Sequence, residues 1–186
     1  TIRANQAVAD ALPIGDQADF EDSLRGLIAS PESLVVKRSD SDEIVWNHDA
    51  FSFVEGSEAP ASVNPSLWRQ AQLNHKAGLY KVTDGIYQLR AFDLANLSII
   101  EGDKGWIVVD PLTSKETAAA AIDFARQHLG EKPVTGIVMT HSHIDHFGGV
   151  DGVLQYAADI VRIIAPVGFM EEATSENVMA GIPMQR

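Results

Sequence analysis

Cysteine is absent from the 186 residues. Disulfide bridges and thiolate zinc sites are thereby excluded, while the redox compartment stays open. No apolar run approaches the ~20 residues needed to cross a bilayer, so no helical membrane span is expected. Basic residues are scarce: 14 Lys and Arg stand against 26 Asp and Glu, a formal net charge of −12. Nucleic acid is a poor partner for such a chain, because phosphate binding requires clustered Lys and Arg. The same charge repels anionic substrates at long range, so an anion needs local compensation, for instance by metal cations. No charged-then-apolar leader opens the chain, and its first residue is Thr1, which is compatible with a leader already removed. What remains is ordinary globular usage, 45% hydrophobic and 22% charged, which argues against disorder. The length suits one domain with a real core, or one domain with a helical arm.

The chain divides near residue 78. Residues 1–78 read as a helical and loop-rich N-terminal arm. In ADFEDSLRGLIA, residues 18–29, Phe20, Leu24, Leu27 and Ile28 fall on one face at helical spacing. A polar stretch follows at 38–56, with residues 44–46 and 51–54 as short extended pieces. A second helix is expected over 66–78, with Pro65 in its first turn and Gly78 as its stop. From Leu79 strands and helices alternate. Asp84-Gly85 between two β-prone runs, 79–83 and 86–90, is a hairpin signal, and two apolar strands around a polar turn recur over 97–111. TSKE at 113–116 reads as a capping box opening a helix over 115–130, with Ala118, Ile122, Ala125 and Leu129 as its apolar stripe and Gly130 as its end. A short buried strand over 134–140, a helix over 152–157, a strand within DIVRIIA at 159–165 and a helix over 170–179 complete the reading. The tail GIPMQR, 181–186, carries no motif.

Residues 140–150 read THSHIDHFGGV and hold three of the six histidines. His141 and His143 are two apart, so in extended backbone both imidazoles point to one side. A turn then brings Asp145 and His146 round the same centre, with Gly148 and Gly149 permitting tight backbone. This donor set suits a borderline metal such as zinc, with manganese or iron less suited. Imidazole, with an unperturbed pKa of ~6.5, binds a metal without a large deprotonation cost. Four donors from so short a loop cannot close round one ion, so two ions, each completing its shell elsewhere, are the easier geometry. A solvated polar loop is the plain alternative. The position at the end of a buried strand weighs against it, because functional residues gather there.

The segment His141-Ser142-His143-Ile144-Asp145-His146 resembles the H-x-H-x-D-H motif of the metallo-β-lactamase superfamily. The flanking phrases LYKVTDGIYQLRAFDLANLSIIEGDKGWIVVDPLTS (79–114), HSHIDHFGGV (141–150) and IAPVGFMEEATSENVMAG (164–181) are similar to its alkylsulfatase branch, the type III sulfatases. The resemblance covers residues 70–186 well and the arm more loosely. It implies an α/β chain forming the first half of an αββα sandwich, residues 79–186, preceded by the arm. It further implies zinc as cofactor, two ions per complete site, with His141 and His143 on the first and Asp145 and His146 on the second. Asp145 also takes a catalytic role, orienting a bridging hydroxide. Asp110, at the end of the strand 106–109, would support the metal loop, although an Asp-Pro turn former explains it equally well. The implied reaction is hydrolysis of an alkyl sulfate ester to alcohol and inorganic sulfate.

That sandwich needs two halves, and its remaining ligands, two glutamates and a histidine, are not identifiable here. The chain therefore reads as the N-terminal piece of a longer polypeptide, inactive alone and with one apolar sheet face uncovered. The remainder of the polypeptide or a second chain would complete the site, as a homodimer when whole. Family habit implies a periplasmic or secreted location, with the cytoplasm as the alternative. His48, His75 and His128 stand apart from the cluster; His128, against a helix C-terminus, and His75 similarly are better read as structural. Glu171, Glu172 and Glu176 read as a solvated helix face, and Trp68, Trp106 and Phe169 as core. Two other readings compete: a superfamily hydrolase of thioesters, lactones or phosphoesters, and a non-catalytic metal-binding fragment.

Overall fold

Seven strands form one mixed sheet, and their connections decide which edge can carry chemistry. The structure is a computed structural model that describes residues 1–56 and 58–184. Two helices, α1 (Ile2–Ala11) and α2 (Ala18–Ser23), precede an edge strand β1 (Leu27–Ala29). A two-stranded ribbon, β2 (Val35–Lys37) and β3 (Ile44–Asn47), leads through a 3₁₀ turn to α3 (Pro65–Asn74). Then come β4 (Gly78–Thr83), β5 (Ile86–Arg90), β6 (Leu97–Gly102), β7 (Gly105–Val109), α4 (Lys115–Leu129), β8 (Val134–Val138), α5 (Val150–Leu154), β9 (Ala157–Ile164) and α6 (Phe169–Met184). The sheet order is β1-β4-β5-β6-β7-β8-β9; the pairs from β1 to β7 are antiparallel, and β7-β8 and β8-β9 are parallel. Parallel neighbours need a crossover, which α4 and α5 supply, so β7, β8 and β9 all end at the same edge.

One face of the sheet is the core. Register stacks Leu79, Leu89 and Leu97 in one row and Ile99, Val108 and Ile137 in the next, and all six are fully buried. Against them α4 lays Ala118, Ala121, Ile122 and Ala125, likewise fully buried. Small residues at three of these positions let the helix approach closely, while Ile122 alone contributes roughly 1.5–3 kcal/mol by its burial. Leu34 and Val36 from the arm region join the same core, and β1 extends the sheet. The opposite face carries Ile86, Ile100, Ile107, Val109, Val138 and Ile164, none of them buried. An apolar sheet face left half-exposed in this way matches half of a sandwich.

Several local expectations need correction. The helix over 18–29 stops at Ser23, because Gly26 takes φ +77 and its Cβ position lies 2.2 Å from the Lys81 carbonyl. The chain turns there into β1, leaving Leu24, Leu27 and Ile28 exposed. The N-terminal α1 is a helix that the reading of the arm does not single out, although Ala4, Ala7, Val8 and Ala11 recur in it at helical spacing. Residues 49–54 are a 3₁₀ turn instead of an extended piece. Helix α3 ends at Asn74, and Gly78 opens β4 instead of stopping the helix; Asn64 caps it, accepting from Ser66 N at 2.9 Å. The capping box of α4 is Ser114 with Thr117, one residue on from Thr113 and Glu116, because Thr113 is committed elsewhere. Helix α5 starts and ends earlier than read, at Val150–Leu154, and α6 runs past 179 to Met184. The hairpin at Asp84-Gly85 stands as read, with Gly85 at φ 72. So do the buried Trp106 and Phe169. Trp68 is half-buried, its ring 6.1 Å from that of Phe53. In the tail, Gln185 and Arg186 lie outside the described residues.

Candidate metal centre

Strand β8 is buried and short, and at its end the backbone ladder continues for one residue more, Met139 N donating to Ile164 O at 2.9 Å. Beyond it Thr140 meets Asp110, which sits just past the end of β7. Asp110 Oδ1 accepts from Thr140 N at 2.8 Å, and Oδ2 accepts from Thr140 Oγ1 at 2.7 Å. The same Oδ2 lies 2.8 Å from His146 Nδ1. Asp110 is buried and holds φ 57, a left-handed conformation that aspartate tolerates better than most side chains. One carboxylate thus ties the end of β7 to both ends of the histidine loop. It forms the turn and supports the loop at once, so the two readings of this residue do not exclude each other.

Close backbone approach fixes the far side of the loop. A Cβ on Gly148 would sit 2.2 Å from Thr113 O, and one on Gly149 would sit 2.0 Å from Pro111 O. Neither glycine has positive φ, so their role is to admit a backbone and not to permit an unusual turn. Gly149 N donates to Leu112 O at 2.9 Å. That acceptor segment, between β7 and α4, is itself held by Asp93, a buried residue that sequence reasoning missed. Asp93 accepts from Thr113 N at 3.0 Å, Thr113 Oγ1 at 2.8 Å and Thr117 Oγ1 at 2.6 Å. Nothing in the spacing between residue 93 and residues 113–117 signals this, because only folding brings them together.

Two of the imidazoles have their outer nitrogen in a hydrogen bond to the sheet edge, and the third faces a carboxylate at ion-pair distance. His141 Nδ1 lies 2.9 Å from Thr140 Oγ1, leaving Nε2. His146 Nδ1 is held by Asp110, also leaving Nε2. His143 Nε2 faces Glu176 Oε1 of α6 at 3.5 Å, leaving Nδ1. The inward nitrogens of His141 and His143 are 3.1 Å apart, within hydrogen-bond distance of each other, and His146 Nε2 lies 3.5 Å from Asp145 Oδ2. Rings 141 and 146 stand 4.0 Å apart, centroid to centroid. The four predicted donors therefore form two adjacent pairs, with no set of three or more converging on one point among the described residues. Nitrogen and carboxylate donors with held outer nitrogens are what a borderline divalent metal requires, so the set fits such ions. The reading of Glu176 as part of a solvated face needs correction: Glu171 and Glu172 are exposed, but Glu176 turns to His143.

The remaining histidines lie elsewhere. His75, buried, closes α3 and stacks on His48 with centroids 3.9 Å apart and planes 7° from parallel. Burial, and then the neighbouring His75, hold the His48 imidazolium below its ordinary range. His128 lies edge-on to Phe124 in the last turn of α4.

Residues 90–181 match the family model described as the metallo-beta-lactamase superfamily. The chain is 47% identical over 189 residues to an (R)-specific secondary-alkylsulfatase of Pseudomonas sp, covering all of this chain and 28% of that protein. An alkyl/aryl-sulfatase of Saccharomyces cerevisiae is 44% identical over 190 residues, covering all of this chain and 29% of that protein. The solved structure of a stereoselective inverting sec-alkylsulfatase from Pseudomonas sp. superposes with a TM-score of 0.88 at 46% identity, over 97% of this chain and 28% of that one. The chain thus spans under a third of the length of the curated relatives it matches. No described helix is long and apolar enough to cross a membrane. By its matched segment, its mixed sheet and its alkylsulfatase relatives, the chain belongs to the metallo-β-lactamase superfamily.

Proposed function

We propose that the protein carrying this chain hydrolyses alkyl sulfate esters, R–O–SO₃⁻ + H₂O → R–OH + HSO₄⁻, at a centre of two zinc ions. The observation that carries the reading is the set of three imidazoles at the C-terminal edge of the sheet, whose outer nitrogens face Thr140, Asp110 and Glu176 while their inner nitrogens and Asp145 meet in two pairs. His141 Nε2 and His143 Nδ1 would hold the first ion, and Asp145 with His146 Nε2 the second. Ions bound there supply Lewis acidity, offset the sulfate charge and make water acidic enough to attack at neutral pH. Asp110 keeps the His146 proton on Nδ1, and Thr140 fixes the plane of His141. Such charge compensation answers the difficulty posed by a chain of net charge −12 acting on an anion.

Two ligand pairs and one covered sheet face support a further element of the reading. The rest of a longer polypeptide, or a second chain, contributes the missing ligands and covers Ile100, Ile107 and Val138. The whole enzyme then works as a homodimer. The test is sulfate release from a long-chain primary and a secondary alkyl sulfate by the full-length protein, measured by ion chromatography. Activity should vanish on chelation and return with zinc. Turnover of thioesters, lactones or phosphoesters without sulfate release would overturn the reading. In ¹⁸O-water, label in the alcohol reports attack at carbon, and label in the sulfate reports attack at sulfur. The inverting relative predicts alcohol labelling for a secondary substrate.

A further inference from the structure

We infer that Glu176 is a positioning residue of the metal centre, the outer carboxylate that fixes the ring of His143 and couples α6 to the ligand loop. This inference rests on the metal-centre reading above. The sequence places Glu176 thirty-three positions beyond His143, outside the histidine motif. The fold brings its Oε1 to 3.5 Å from His143 Nε2.

The argument is one of nitrogens. His143 is the most exposed of the cluster, its side chain 60% accessible, and no hydroxyl or buried carboxylate of the sheet edge holds it. His141 borrows Thr140, and His146 borrows Asp110. Without Glu176, the His143 ring keeps only its contact with His141, and its proton can sit on either nitrogen. A carboxylate beside Nε2 selects the tautomer with the proton there, which leaves the Nδ1 lone pair facing His141 Nε2, 3.1 Å away. Carboxylate partners of this kind orient a ligand ring and raise its basicity, and their loss typically weakens metal affinity 10- to 100-fold. Glu176 is on the far side of the ring from the inward nitrogens, so it acts through His143 and is not itself a ligand of the same ion.

The geometry also gives α6 a reason to dock where it does. Its first turns pack Phe169 and Ala173 against Met139 and Phe147, the residues that flank the loop on either side. Phe147 and Phe169 meet edge to face with centroids 5.2 Å apart. Ala173 and Glu176 are three apart, so both fall on the helix face turned to the loop. Apolar contact seats the helix, and the carboxylate then reads the ring.

The experiment uses the full-length protein stripped of metal and reconstituted with Co(II), whose visible d–d spectrum reports coordination. Affinity is measured by competition with a chromophoric chelator. Glu176→Ala should weaken the ion held by His141 and His143 at least tenfold and alter the d–d envelope. Glu176→Gln, which keeps an oxygen acceptor but not the charge, should recover part of both. Glu171→Ala and Glu172→Ala, on the same helix but exposed, should change neither. Circular dichroism and thermal melts of the metal-free variants separate a folding defect from a loss of positioning. Unchanged Co(II) affinity and spectrum in both Glu176 variants would overturn the inference while leaving the centre itself intact, provided His143→Ala loses the ion. If the wild-type protein binds no Co(II), the centre and this inference fall together.

Discussion

Replacing Asp110 with Asn changes one atom and should separate support of the loop from support of the fold. Asp110 accepts three hydrogen bonds, from Thr140 N, Thr140 Oγ1 and His146 Nδ1, all between 2.7 and 2.8 Å. Bonds to a charged acceptor contribute about 1.5–3 kcal/mol each, less where the donor can turn to water. Thr140 is exposed, so its two donors are partly compensated, and His146 is only half-buried. Asp110→Ala should therefore cost about 3–4 kcal/mol, including about 1 kcal/mol for alanine at φ 57. Asp110→Asn tolerates that φ and keeps one acceptor oxygen, so about 1 kcal/mol is expected. Its amide, however, donates where Oδ2 accepted. If the oxygen stays with Thr140 N, the NH₂ faces His146 Nδ1 and selects the tautomer with the proton on Nε2. That proton occupies the lone pair intended for the metal. The variant should fold almost normally yet bind the second ion 10- to 100-fold more weakly. Urea melts of the metal-free protein and chelator competition measure the two effects separately. Equal metal affinity in Asn and wild type, or equal destabilisation by Asn and Ala, would refute the reasoning.

Three further outcomes follow from other parts of the molecule. Gly149→Ala places a methyl 2.0 Å from Pro111 O and 2.6 Å from Ser114 O, both rigid backbone, so a loss of at least about 2–3 kcal/mol is expected in urea melts; a neutral result would mean that the loop and the α4 entry are not fixed to each other. Because the folded protein holds the His48 imidazolium low, the unfolded chain takes up that proton first. Stability from this residue is complete above the ordinary histidine value of about 6.5 and falls as pH drops through it, levelling below the folded value. His48→Gln should flatten the decline of the urea midpoint between pH 7 and 5. The 186-residue chain made alone should associate in sedimentation velocity through β9, where Ile160 and Ile164 are 81% and 57% exposed. Lysine at both positions should reduce that association, and an unchanged profile would place the contact elsewhere.

Much of the architecture was legible because period and turn chemistry act locally. Asp84-Gly85 announces its hairpin, Ala118 to Ala125 announces the buried stripe of α4, and the apolar run before Thr140 announces a strand aimed at the histidines. Phe20 to Ile28 misled for the same reason: the helical spacing was real, but the close approach of Lys81 O to Gly26 belongs to another strand. Local pattern cannot see a neighbour fifty residues away.

The sequence by itself determined the donor types, their order and the strand that carries them, since a histidine spaced two from another needs only backbone geometry to share its side. Tertiary structure decided which nitrogen of each ring faces inward. That choice depends on Thr140, Asp110 and Glu176, and for His143 and His146 the partner comes from a distant segment. It likewise decided that one sheet face is packed and the other bare. Side-chain alternation marks two faces, but only a docked α4 makes one of them core.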